Sequence, residues 1–146
     1  MNNPADAVAS GNQGRQLVGC GGLRFEATFR APAGATLRVS GEVDGHMTEL
    51  LRFDDFIEGP HYHAPAGGDP IPFDQAALGE PLTWFVSQVR DHLGELLAEA
   101  GYARILSDVD LHAIAEHGED IRKAMEACVP DGYVRVPGVG LRRSSA

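Results

Sequence analysis

The chain of 146 residues is long enough for one domain to bury a hydrophobic core without disulfides or a structural metal. Its formal net charge of −9 argues against duplex nucleic acid and anionic membranes as partners of the whole protein. The two cysteines are far apart, there is no signal-peptide pattern, and no apolar run reaches the roughly 18 residues that a membrane helix needs. These features predict a soluble, cytoplasmic protein without membrane contacts.

Composition divides the chain into three predicted segments. Residues 1–20 lack hydrophobic periodicity and are rich in Asn, Gly, Ala and Gln, so they predict a flexible N-terminal arm in which Cys20 is an exposed thiol. Residues 21–136 are expected to form a single α+β domain. Residues 137–146 are expected to form a C-terminal tail.

Alternating apolar and polar residues predict an antiparallel meander of three to four strands. The alternation is regular from Leu23 to Arg30, and a Pro/Gly turn at 31–34 leads to a second strand that ends at Val43. Asp44-Gly45 is typical of a tight hairpin, so a third strand is predicted over 47–53. On this third strand the predicted core face carries Met47, Leu51 and Phe53, and the opposite face carries Leu50, Arg52 and Asp54.

Two helical segments are predicted to pack on the apolar face of the meander. Pro81 and Gly101 bracket a helix over 82–100 with a continuous apolar stripe. Ser107 and Asp110 have the spacing of a capping box, which predicts a second helical stretch over 108–128 that Gly118 divides. The segment from 133 onward is expected to add an edge strand to the sheet.

The sequence His61-Tyr62-His63 is the strongest candidate for a site. In an extended chain, residues i and i+2 share a face, so both imidazoles can converge on one divalent transition metal or one substrate. Spacing does not select a further metal ligand. The candidates left open are Asp54, Asp55, Glu58, Asp69, His46, His92, His112 and His117.

Arg52 and Asp54 are predicted to share the polar face of the sheet near these histidines. A catalytic set of Arg52, Asp54, His61 and His63 can bind an anion and transfer a proton. Further ligand-binding residues predicted at this site are Arg24, Arg38 and Tyr62. The alternative is a strand-end corner in which the histidines bond loop carbonyls and Tyr62 packs inward.

The stretches "ELLRFDDFIEGPHYHAPAGGDPIPFD" and "GEPLTWFVSQVRDHLGELLAEAGY" resemble a small uncharacterised bacterial family that carries R-F-D, P-H-Y-H, a Pro/Gly loop and a long amphipathic helix. The resemblance covers residues 23 to about 103 and implies the same architecture. More distantly, R-F-D followed by clustered histidines is similar to TumE-like toxin components, which implies an RNA-acting role. In this chain, Asp55 replaces the asparagine of that pattern, and the histidine run is reduced to His61 and His63.

Three functions follow as hypotheses. The first is a binding module that contacts a small anionic ligand or a protein partner through the His61/His63 corner. The second is a small enzyme with acid–base or metal-assisted chemistry on a small anionic molecule, and the third is a toxin-like RNA-acting protein. An uncovered polar face or sheet edge also favours a homodimer.

Overall fold

In the computed structural model, which describes residues 14–144, a six-stranded antiparallel sheet is the main structural element. The six strands lie side by side in chain order, and each pairs with the next. A separate two-stranded hairpin follows near the C-terminal end. The strands are β1 (Arg15–Cys20), β2 (Leu23–Arg30), β3 (Gly34–Val43), β4 (His46–Phe56), β5 (His61–His63), β6 (Ile71–Pro72), β7 (Tyr133–Val136) and β8 (Gly140–Arg143).

Five α-helices and one 3-10 helix lie between the sheet and the hairpin. Pro81 occupies the first position of its helix, where its missing N–H costs no hydrogen bond. None of the helices within residues 14–144 is long and apolar enough to cross a membrane. The helices are α1 (Gln75–Leu78), α2 (Pro81–Asp91), α3 (Leu93–Glu99), the 3-10 helix Ala103–Asp108, α4 (Leu111–Glu116) and α5 (Gly118–Ala127).

The α+β class and the antiparallel meander are confirmed, but the sheet has more strands than predicted. Strand β1 lies within the segment predicted as a flexible arm, so that prediction is wrong for residues 15–20. Residues 1–13 of the predicted arm lie outside the described residues. Cys20 is not an exposed thiol: it ends β1 in the core, and burial raises its pKa to about 11.

A β-bulge between β3 and β4 changes which face each residue of β4 presents. The pairing register shifts between Val39 and Ser40, and Leu50 is the extra residue on β4. Leu50 is fully buried, and Met47 is 57% exposed, so the predicted faces of these two residues are both wrong. Regular alternation from 47 to 53 does not hold because the bulge adds one residue.

The helices cover the apolar face of the sheet in shorter pieces than predicted. The 82–100 helix breaks at His92, which has non-helical backbone angles between α2 and α3. The predicted apolar stripe is nevertheless confirmed. It faces the sheet, since the ring centroid of Phe85 lies 5.1 Å from that of Phe53 on β4. The buried members of the stripe are Leu82, Phe85, Val86, Val89, Leu93, Leu96 and Leu97.

The second helical stretch is divided at Gly118, as predicted, but it does not begin with a capping box. Asp110 is itself the N-cap of α4, and its carboxylate accepts a hydrogen bond from the Ala113 N–H. Ser107 lies in the preceding 3-10 helix. The Asp110 carboxylate therefore caps this helix alone, without the two reciprocal hydrogen bonds of the capping box that the S-x-x-D spacing predicted.

The hairpin β7–β8 replaces the predicted edge strand and much of the predicted tail. It pairs with itself and not with the main sheet, and Leu141 of β8 is buried in the core. Two hydrogen bonds hold its turn against the helices: Gln75 donates to the Val139 carbonyl, and the Gly138 N–H donates to the Glu80 carboxylate. Residues 137–143 are thus part of the folded domain.

The helix stripe generates a stability prediction. Leu93→Ala is expected to lower the free energy of unfolding by about 2–5 kcal/mol, because it removes a buried side chain and leaves a cavity. Leu78→Ala, which truncates an exposed leucine of α1, is the matched control and is expected to change it by less than about 1 kcal/mol. Urea unfolding measures both; equal effects would contradict the assigned core face.

Candidate metal centre

Strands β4 and β5 bring Asp54, His61 and His63 together on the polar face of the sheet. Asp54 lies directly opposite His61 in the antiparallel register, and Arg52 lies opposite His63. Tyr62 alternates between the two histidines and therefore faces the other way. Gly59, with a φ of 65°, forms the corner that returns the chain from β4 to β5.

Three atoms converge at this point. The Nε2 atom of His61 lies 2.9 Å from Oδ2 of Asp54, and the Nε2 atom of His63 lies 3.3 Å from the same oxygen. One ligand atom from each of the three residues lies within 4.8 Å of the other two. Within residues 14–144 this is the one such cluster of three His, Cys, Asp or Glu side chains.

The other nitrogen of each imidazole is held by the backbone. Nδ1 of His61 lies 2.8 Å from the Gly59 carbonyl oxygen, and Nδ1 of His63 lies 2.8 Å from that of Gly68. A carbonyl oxygen only accepts hydrogen bonds, so each Nδ1 carries the proton. In the neutral imidazoles both Nε2 lone pairs therefore point toward Asp54.

Asp54 is fixed from its opposite side. Its side chain is buried, with 3% of the residue exposed, and its Oδ1 atom accepts a 2.7 Å hydrogen bond from the Thr36 hydroxyl. Its Oδ2 atom is the one that faces the histidines. The side chains of His61 and His63 are 22% and 14% exposed, so the cluster is open to solvent on one side.

Two neutral Nε2 lone pairs against one carboxylate oxygen repel unless positive charge lies between them. One proton between Asp54 and either imidazole relieves part of this repulsion, whereas two protonated rings would lie side by side with ring centroids 5.1 Å apart. One divalent cation relieves it with both rings neutral. Ligands bound at about 2.0–2.2 Å lie about 3.3–3.6 Å from one another around a tetrahedral ion. The 3.3 Å distance from His63 to Asp54 agrees with this spacing, and the 2.9 Å distance from His61 is shorter.

The structure selects Asp54 from the ligands that spacing left open. Asp55 faces away and pairs with Arg135. Of the other histidines, His92 pairs with Glu95 of α3 and His112 with Glu116 of its own helix, and Nδ1 of His117 donates to the Ala113 carbonyl. None of these joins the cluster of Asp54, His61 and His63.

Arg52 shares the polar face with the cluster, as predicted, but its guanidinium pairs with Glu49. Two hydrogen bonds of 2.9 and 2.8 Å join the two side chains, and Glu49 also lies 3.7 Å from Arg38. This pairing raises the pKa of Arg52 above its ordinary value, with a smaller contribution from Asp54. Glu49 reaches the polar face because the bulge at Leu50 reverses its side of the strand.

The remaining predicted ligand-binding residues, Arg38, Arg24 and Tyr62, lie at different distances from the cluster, and Tyr62 lies on the other face of the sheet. Arg38 lies beside Arg52 in the register and donates a 2.7 Å hydrogen bond to the Thr28 hydroxyl. Arg24 lies one strand further, opposite Ser40, and is exposed. Tyr62 does not reach the site, because it packs among Phe53, Trp84 and Phe85 on the helix-covered face.

A family model described as "Domain of unknown function (DUF7700)" matches residues 5–125. The chain belongs to this family. The match to DUF7700 includes strands β1–β6 and therefore all three residues of the candidate centre. No curated protein and no solved structure matches the chain.

The hairpin β7–β8 lies beyond the DUF7700 match, yet it contacts the residue next to the centre. Arg135 of β7 forms an ion pair with the buried Asp55 and also donates to the Met125 carbonyl at 3.2 Å. Burial raises the pKa of Asp55 above its ordinary value, and the Arg135 guanidinium opposes that shift. The adjacent acids of β4 thus point to opposite faces of the sheet, Asp54 toward the two histidines and Asp55 toward the Arg135 guanidinium.

Sequence reasoning missed Thr36, Glu49 and the two carbonyls that anchor the histidines. The only signal for Thr36 was its position on the strand that pairs with β4. Pairing counted from the Asp44-Gly45 turn without a bulge would place Thr36 opposite Phe53. The bulge moves it opposite Asp54. The pair of Asp55 and Arg135, 80 residues apart, had no local signal.

Arg135→Ala is expected to lower the free energy of unfolding by about 3–5 kcal/mol, because it leaves a buried carboxylate without its counter-charge. Arg104→Ala, which breaks an exposed pair with Asp44, is the control and is expected to cost about 0–1 kcal/mol. Urea unfolding of both variants measures the difference. A change for Arg135→Ala no larger than the control would contradict a structural role for the hairpin.

Proposed function

We propose that this protein is a metal-dependent enzyme whose divalent transition metal is held by Asp54, His61 and His63. The observation that carries the proposal is the convergence of two backbone-anchored Nε2 atoms on one oxygen of a buried carboxylate. Metal-binding histidines commonly donate their other ring N–H to a carbonyl or carboxylate, which fixes the tautomer and the ring orientation. Gly59 and Gly68 supply that second contact here.

Two imidazoles and one carboxylate suit zinc, iron, copper or nickel, and are a poor set for magnesium or calcium. Three protein ligands leave coordination positions for water or substrate, as in catalytic metal sites, whereas structural zinc sites are closed by four protein ligands. The solvent-exposed side of His61 and His63 gives access to those positions. A metal there supplies Lewis-acid polarisation of a bound oxygen.

The other hypotheses stay predictions. In a binding module without metal, protons would take the place of the metal between the histidines and Asp54, and the same polar face would be presented to an anion. An RNA-acting role rests on the resemblance to TumE-like toxin components, and the net charge of −9 disfavours it. A homodimer and a cytoplasmic location also stay predictions.

The first test is the metal content of the protein purified without a histidine tag. We expect close to one equivalent of zinc, iron, copper or nickel per chain in the wild type. The double variant His61→Ala/His63→Ala is expected to contain none, because one carboxylate does not hold a transition metal. Mass spectrometric elemental analysis measures both.

The matched control is His92→Ala/His112→Ala, which also removes two histidines, both exposed and paired with glutamates on helices. It is expected to retain the wild-type metal content. A wild type that contains no metal, and takes up none when dialysed against zinc, would overturn the proposal.

Thr36→Val tests whether the Thr36 hydroxyl supports the Asp54 carboxylate, and it leaves all three proposed ligand atoms in place. Its hydroxyl holds Oδ1 of Asp54, so its removal is expected to weaken zinc affinity by about 10–100-fold, as for other outer contacts of metal ligands. Competition with a chromogenic chelator measures the affinity. Thr28→Val is the control, since Thr28 is on the same face but bonds Arg38.

If both threonine variants bind zinc as the wild type does, the Thr36 hydrogen bond does not support the centre. If both bind it more weakly, the effect belongs to the polar face in general. Only a loss confined to Thr36→Val supports the assigned role.

A further inference from the structure

Arginine side chains lie beside the candidate centre, and their positive charge indicates which class of substrate it would bind. This step rests on the proposed metal centre and extends it to the class of substrate. We infer that the substrate carries an oxyanion group, a phosphate or a carboxylate, which binds between the metal and the guanidinium of Arg52. Arg52 is here a substrate-binding residue and not a metal ligand.

The register places Arg52 at the edge of the centre. Arg52 lies directly opposite His63, and side chains that face each other on neighbouring antiparallel strands have Cβ atoms about 4.5–5.5 Å apart. Arg52 and Asp54 are two residues apart on β4 and share its polar face. A group bound at an open position of the metal therefore lies within reach of the long Arg52 side chain.

Arg52 keeps hydrogen-bond donors free for a ligand. Its Nε and Nη2 atoms donate to the two oxygens of Glu49, which holds the guanidinium in place. Its Nη1 atom makes no hydrogen bond to any residue within 14–144, and the side chain is 33% exposed. A guanidinium that is already positioned, with one end free, is suited to a phosphate or carboxylate oxygen.

With the proposed divalent metal bound, the charge of this region is positive in a chain that is negative overall. Glu49 is the shared partner of Arg38 and Arg52, so one carboxylate faces two guanidinium groups. A divalent metal on Asp54 and two neutral imidazoles adds one further net positive charge. An anionic group is attracted to this surface, whereas the net charge of −9 repels anions from the molecule as a whole.

The inference is tested by calorimetric titration of the zinc-loaded protein, freed of excess zinc, with inorganic phosphate and separately with malonate. We expect at least one of them to bind, and the tighter one assigns the substrate group as a phosphate or a carboxylate. Arg52→Gln is expected to weaken that binding by about tenfold, because one charge-assisted hydrogen bond is lost. Its zinc content is expected to stay at the wild-type level.

Two controls separate the lost charge from a disturbed surface. Arg24→Gln removes an exposed arginine of the same sheet further from the centre, and it is expected to leave the affinity unchanged. Glu49→Gln weakens the same ion pair but retains the guanidinium, so it is expected to bind the anion at least as tightly as the wild type.

The outcomes distinguish this inference from the proposed function. A wild type that contains no metal and takes up no zinc on dialysis would overturn the metal centre and this inference with it. A zinc-loaded wild type that binds neither anion, or equal losses in Arg52→Gln and Arg24→Gln, would overturn only the inference. Binding that is lost in Arg52→Gln and retained in both controls supports it.

Discussion

The β-bulge between Val39/Ser40 of β3 and Leu50 of β4 is the constraint on which the rest of this structure depends. Side chains of a strand alternate between two faces, so one inserted residue exchanges the faces of everything beyond it. The bulge sends Leu50 to the core beside Leu51, brings Glu49 to the polar face and sets Thr36 opposite Asp54. Without it, Glu49 would face the apolar side, and Asp54 would lose the hydroxyl that holds it.

The two acids at the end of β4 show how one strand serves both sides of a sheet. Asp54 faces the histidines of β5, where solvent reaches one side, and Asp55 faces the core, where it forms an ion pair with the Arg135 guanidinium of a distant hairpin. A buried carboxylate with a guanidinium partner is structural in character. The Asp54 carboxylate, which faces two imidazole nitrogens at the solvent side, is the one proposed as a metal ligand, and this difference separates the two neighbours.

Local patterns predicted the parts of the fold that depend on local chemistry. The turn at Asp44-Gly45, the strand Leu23–Arg30, the apolar stripe of α2 and α3 and the His61/His63 pair all follow from spacing and residue type. No Gly or Pro on β4 marks the bulge at Leu50, so the predicted faces of Met47 and Leu50 were wrong; the one nearby signal is Gly41 of β3, where a Cβ would lie 3.2 Å from the Leu50 side chain. Strand β1 was missed because its apolar residues are interrupted by Gly19 and preceded by a polar segment. The partners of Asp54 and Asp55 depend on the strand register and on which distant segments fold back against β4, and residue spacing predicts neither.

The ion pair of Asp55 and Arg135 crosses the end of the family match, which stops at residue 125 inside α5. The matched segment contains Asp55, and the segment beyond it contains Arg135. A fragment cut at the end of the match would keep the buried acid of β4 and lose the guanidinium that pairs with it. The folded domain of this chain therefore extends past the matched segment.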